Sequence, residues 1–317
     1  MKILAATALA VLAMTGTVSA QDFPSRGVTL IIPYSPGGST DLLGRQLANE
    51  LQAKWGQPVV VENRPGAGSM IGTAHLAQSA PDGHTLLLNT AAHSTAPAVQ
   101  LNLPFDAEAD LTPITMVATS PYVMVAGAGV EAEKFSDFLA EAKNRPMFFA
   151  TAGVGSSSHF AAELLMQQGD LPADVVHYAG GGEANVALMG GHADIYISTT
   201  ASVMPYVNNG QVKAVGILGG ERYDLLPDVE SSAENGIEGI EIDGWVGLIG
   251  PGGMDPELVA RINADVNEAI QSESFQAVLE ANFVRAGDTT PEQFQELVTR
   301  EMALWRQLAQ ERNIVAQ

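Results

Sequence analysis

The sequence predicts an α/β fold in two doubly wound lobes. Three observations carry that expectation. Runs of β-branched residues alternate with segments of helical period, two of the connecting loops are rich in glycine and hydroxyls, and about 300 residues exceed what one core usually serves.

Val28 to Tyr34 is an apolar run ending at Pro36-Gly37-Gly38, after which Leu43, Leu47, Leu51 and Trp55 recur every fourth residue. That is strand, loop and amphipathic helix. Val59 to Val61 reads as a short strand, Glu62 to Ser69 as a loop running into a helix to about Gln78, Pro81 to His84 as a turn, and Thr85 to Asn89 as a third strand. The second half repeats the pattern. Strands are expected at Tyr122–Ala126, Phe148–Ala150, Val175–His177, Asp194–Ile197 and Val212–Ile217. Between them fall helices at Phe135–Lys143, from about Ser158, at Glu183–Met189 and near Ser202–Val207. Ile240 to Ile249 reads as a strand returning to the first lobe, and the tail is helical. Asp255-Pro256 supplies an N-cap with proline at the first helical position, and Thr290-Pro291-Glu292-Gln293 is a capping box. The implied division is residues 21–121 plus 241–317 for lobe I and 122–240 for lobe II, with crossings near Ser120–Tyr122 and Ile240–Gly244.

Residues 1–20 read as a cleavable signal peptide: Lys2, an uncharged run from Ile3 to Val18, and small residues at Val18-Ser19-Ala20 before Gln21. No later stretch is apolar enough for a membrane helix, so a chain exported to the periplasm without membrane insertion is expected. Cysteine is absent, which removes disulfides, thiolate metal sites, a Cys nucleophile and lipidation at an N-terminal Cys. The formal net charge of −21 becomes −22 once Lys2 leaves with the leader. Nucleic acid and anionic lipid would be repelled at long range.

Catalytic and cofactor motifs are missing. There is no nucleophile elbow, Walker loop, zincin motif or calcium loop, and in Gly153-Val154-Gly155 the dinucleotide fingerprint fails because Ser158 stands where its third glycine belongs. The histidines show no metal-ligand spacing. A hydrolase using Ser157 or Ser158 with His159 would need side chains that point apart at a helix start. No catalytic residue, metal or cofactor is expected.

The positive signal is anion chemistry. In the first loop Ser35, Gly37, Gly38, Ser39, Thr40 and Asp41 combine close backbone approach with hydroxyl donors, and Thr40 or Asp41 is expected to cap the helix. In the second, Gly155, Ser156, Ser157, Ser158 and His159 repeat the arrangement. Two such loops, each at the positive end of a helix, form the halves of a carboxylate clamp. Asn89, Thr90 and Thr200, at strand ends, are further candidates.

Six segments resemble the Bug-type extracytoplasmic solute receptors of tripartite tricarboxylate transporters. They are Val28–Asp41 (VTLIIPYSPGGSTD), Gly56–Gly68 (GQPVVVENRPGAG), Ala80–Leu86 (APDGHTL), Gly155–His159 (GSSSH), Gly190–Asp194 (GGHAD) and Leu226–Val229 (LPDV). The resemblance implies a type II periplasmic binding protein of flytrap form, a small-molecule carboxylate held between the lobes by the two loops, and delivery to the permease subunits, with the receptor itself a monomer. A receptor that signals to a two-component sensor kinase is the alternative. Tyr34 replaces a frequent Phe, Ser198-Thr199-Thr200 stands where many relatives carry Asp-Asn, and the loop from Tyr178 to Gly182 has Ala179 in place of a frequent Lys. Tyr34, Tyr178 and Ser198 therefore join the expected ligand contacts.

Overall fold

The computed structural model describes residues 23–100, 102–240 and 242–315. The expected signal peptide lies outside them.

The first sheet begins with β1 (Val28–Ile32), followed by α1 (Ser39–Trp55), β2 (Val59–Asn63), α2 (Met70–Ala77), β3 (Thr85–Thr90) and α3 (Ala92–Val99). β2, β1 and β3 pair in parallel, Leu30 opposite Val61 on one side and Leu86 on the other. The short apolar strand VTLII suits this central place because both of its faces are covered. Leu43, Leu47 and Leu51 of α1 are buried against Leu30, Ile32 and Leu88, each contributing on the order of 1.5 to 3 kcal/mol. Gly44 permits that approach, since a Cβ there would meet Ile32 Cδ1 at 2.4 Å.

Next comes β4 (Leu111–Ala126), one 16-residue strand shared by both sheets. The sequence pattern marked only its last five residues. Lobe II continues with α4 (Phe135–Ala142), β5 (Met147–Thr151), α5 (Ser157–Gly169), β6 (Ala173–His177), α6 (Gly181–Met189), β7 (Ile195–Thr199), α7 (Thr200–Asn208) and β8 (Lys213–Leu218). β5 is parallel to β6 and β7, and Tyr122–Ala126 pairs antiparallel with β7 and β8. Phe135, Phe138, Phe149 and Phe160 fill the core beneath it.

The chain returns through β9 (Asp243–Pro251), antiparallel to both β3 and β4, so the expected return strand is present with its start moved to Asp243. β4 changes partners between Pro121, opposite Asp243, and Tyr122, opposite Thr199. The remaining elements are α8 (Pro256–Ala269), α9 (Glu273–Ala281), the two-residue β10 (Arg285–Ala286) and α10 (Pro291–Arg312). Asp255 caps α8, and Thr290 with Gln293 forms a full capping box on α10. α10 spans both lobes. Phe294, Val298 and Met302 pack with Ile31, Leu87 and Ile249, whereas Trp305 and Leu308 join the lobe II core, Trp305 lying 5.2 Å from the ring of Phe160.

Candidate functional site

A cavity of about 460 Å³ lies between the lobes. Lobe I contributes Tyr34, the start of α1 from Gly38 to Asp41, and Thr90; Tyr122 and Trp245 stand on the crossing strands. Lobe II contributes Ser157 and Ser158 at the start of α5, Gly181 at the start of α6, and Ser198, Thr199 and Ser202 around the start of α7. Four helix N-termini therefore open on one space, each bringing backbone N–H groups that lack an intrahelical acceptor.

In lobe I, α1 starts after an extended Gly38 with no side-chain cap, so neither Thr40 nor Asp41 plays the capping role expected of it. Asp41 is committed to the loop before it instead. Its carboxylate accepts from Gly37 N at 2.9 Å, from Arg45 Nε at 2.9 Å and Nη2 at 3.0 Å, and from Asn63 Nδ2 at 2.8 Å. The Arg45 hydrogen bonds, aided by Gly37 and Asn63, hold this buried carboxyl at a pKa of about 2. Asn63 also donates to Tyr34 O at 3.1 Å, so one network fixes both ends of the loop and leaves the first-turn amides of α1 uncapped. Tyr34 OH lies 2.8 Å from Asn89 Oδ1 and 2.7 Å from Thr90 Oγ1. Asn89 is fully buried behind Tyr34 and donates to Thr73 Oγ1 at 3.3 Å; it does not reach the wall.

In lobe II the Ser-rich run divides its labour. Ser156 is the N-cap, accepting from His159 N at 3.2 Å and donating to Gly153 O at 2.7 Å. Ser158 Oγ accepts from Ala152 N at 2.9 Å yet still borders the cavity, as Ser157 does. Gly155, Ser156 and His159, expected as ligand contacts, do not border the cavity. Tyr178 is half-buried in the lobe II core with its amide on Thr151 O, and with Ser35 and Gly37 it stands off the wall. Thr200 is fully buried and donates to Phe283 O at 2.6 Å, joining α7 to the segment after α9. Tyr223 OH reaches the same carbonyl at 3.3 Å, and Asp224 pairs with Arg285.

The wall holds no Lys or Arg among the described residues, and its one carboxylate, Asp41, is neutralised by Arg45. Burial pushes the phenols of Tyr122 and Tyr196 upward, so both stay neutral hydrogen-bond groups at the wall. A bound anion would meet amides, hydroxyls and aromatic faces. At the starts of α6 and α7 the sequence reading picked out Tyr178, Ser198 and Thr200, of which Ser198 borders the cavity, and it missed Gly181, Thr199 and Ser202, although a glycine- or hydroxyl-rich turn between a strand and a helix marks both places as it marks the two recognised loops. Tyr122, Tyr196 and Trp245 carried no local signal beyond their place on strands.

The sequence matches the family described as the tripartite tricarboxylate transporter family receptor over residues 43–314. It is 35% identical to protein BugT of Bordetella pertussis over 311 residues, 96% of this chain and 94% of that protein. This chain is a tripartite tricarboxylate transporter receptor of the Bug type. Among solved structures, an R. palustris protein with adipate superposes with a TM-score of 0.82 at 27% identity, covering 93% of this chain and 99% of that one. MatC from Rhodopseudomonas palustris, with bound malate, gives 0.77 at 30% identity and covers 90% and 99%. The receptor is thus a solute-binding protein of the two-lobed periplasmic class, not an enzyme. Its interlobe cavity, bordered by the starts of α1 and α5, is the kind of space a solute receptor needs.

Proposed function

We propose that this receptor captures a small organic carboxylate between its lobes and hands it to the permease subunits of a tripartite transporter. On this reading residues 1–20 direct it to the periplasm, lobe I is 21–121 plus 241–317, lobe II is 122–240, and the receptor works as a monomer. One observation carries the reading: a cavity between two sheets has the uncapped start of α1 on one side and the hydroxyl-lined start of α5 on the other. A hydrogen bond to a charged group contributes on the order of 1.5 to 3 kcal/mol, so three or four amides and hydroxyls reach micromolar affinity without a cation. The relatives solved with adipate and malate support a ligand with two carboxylates.

A melting screen of residues 21–317 with adipate, malate, citrate, benzoate and neutral amides tests this. A ligand at about 100 times its dissociation constant adds roughly 2.7 kcal/mol, a shift of several degrees. Equal shifts from carboxylates and their neutral amides would overturn the reading.

A further inference from the structure

We infer that His159 is a positioning residue for the lobe II anion loop, acting through Gly155 instead of touching the ligand. The inference rests on the carboxylate-receptor reading for its effect on binding, and on geometry alone for its effect on the loop.

The imidazole is buried in the first turn of α5, with Nδ1 accepting from Gly155 N at 3.1 Å. An amide N–H can only donate, so Nδ1 carries no proton and the neutral ring is protonated at Nε2. That nitrogen faces Glu163 Oε1 at 3.5 Å. Glu163 in turn accepts from Arg312 Nε at 2.6 Å, at the end of α10. His177 is the other titratable group against the ring, its centroid 4.5 Å away, and its Nδ1 is occupied by Thr151 Oγ1 at 2.8 Å. The ring is therefore clamped in one orientation and one tautomer.

The clamp has an object. Gly155 has φ of +74°, a left-handed conformation, and Val99 of α3 closes the other side, lying 2.4 Å from where a Cβ would be. Gly155 N–H is buried, and losing its acceptor would leave an unpaired donor, so the backbone would turn to find another. Gly153 to Ser156 would turn with it, because Ser156 N donates to Gly153 O at 3.2 Å and Ser156 caps α5. The cavity-facing positions of Ser157 and Ser158 depend on that cap. The chain Arg312, Glu163, His159, Gly155 thus links a helix that spans both lobes to the loop that would hold the anion.

The test compares His159→Phe, which fills the volume without an acceptor, with His159→Asn, whose Oδ1 can take the place of Nδ1. Hydrogen exchange of the ligand-free proteins over residues 152–160 is read first. His159→Phe should exchange at least tenfold faster there and His159→Asn at the wild-type rate. Wild-type exchange in the Phe variant, or equal loosening in both, would overturn the inference. Glu163→Ala, which unties the ring without emptying the core, should speed the same segment about threefold, and no change would likewise count against the clamp. Calorimetric titration with adipate and malate is read second. Any probe that binds wild type should bind His159→Phe at least tenfold more weakly and His159→Asn normally. If neither probe binds wild type, the ligand reading fails while the exchange data still decide the role of His159.

Discussion

Glu301 offers a stability measurement whose size follows from the structure. It is buried on α10, where its carboxyl accepts from Ser94 Oγ of α3 at 2.5 Å and from Trp245 Nε1 of β9 at 3.0 Å. Burial raises its pKa from 4.5 to about 7 despite those two donors. Between these values the native state keeps a proton that the unfolded chain has released. Rising pH therefore removes stability, by up to roughly 3 kcal/mol for a shift of this size at about 1.4 kcal/mol per unit. His93 acts in the opposite sense. Burial lowers its pKa from 6.5 to about 4, and its Nε2 has no hydrogen-bond partner, so the native state binds fewer protons and gains a similar amount as pH rises. In wild type the two contributions nearly cancel.

Glu301→Gln separates them, because the amide still accepts from Ser94 and Trp245 but cannot ionise. The variant should match wild type at pH 4.5 and exceed it by about 3 kcal/mol at pH 8, a melting difference of about 6 °C for a chain of this length. Urea unfolding followed by Trp fluorescence at half-unit steps of pH gives both curves. Parallel curves from pH 4.5 to 8 would refute the argument, since they would mean that Glu301 has the same proton affinity folded and unfolded.

Other substitutions test the rest of the architecture. Asp41→Ala removes the acceptor that holds Gly37, Arg45 and Asn63, so calorimetry should show at least a tenfold loss of carboxylate affinity with only a few degrees of melting loss. Gly155→Ala places a methyl 2.4 Å from Val99 Cγ2 at a positive φ and should cost about 2 to 4 kcal/mol in denaturant unfolding. Ser198→Asp adds a negative charge to the wall and should weaken dicarboxylate binding about tenfold; unchanged affinity would place the second carboxylate elsewhere. Thr200→Val removes the hydroxyl donated to Phe283 O, worth about 1 kcal/mol, and should enlarge the ligand-free radius of gyration in small-angle scattering.

What the sequence revealed depends on how locally each feature is determined. The strand before Gly37 and the helix after it are set by residues within one turn of each other, and so are the caps at Asp255 and Thr290. Leu111 to Pro121 is a strand only because β9 pairs with it from far along the chain, across irregular registers after Pro113 and after Met116. α3 carries Ser94, Thr95 and Pro97, poor residues for a helix, and is held from outside by α10, with Ser94 bonded to Glu301 across 207 residues. The same distinction governs the candidate site. Glycine, serine and threonine after an apolar strand announce an anion loop, but such a loop must first satisfy its own backbone donors. Asp41 is taken by Gly37 N, Ser158 by Ala152 N and His159 by Gly155 N. Local sequence therefore identifies the segments that can hold an anion, while the backbone amides those segments must satisfy decide what each side chain has left to offer: His159 is withdrawn from the wall, and Asp41 and Ser158 border it with part of their hydrogen-bonding capacity already committed.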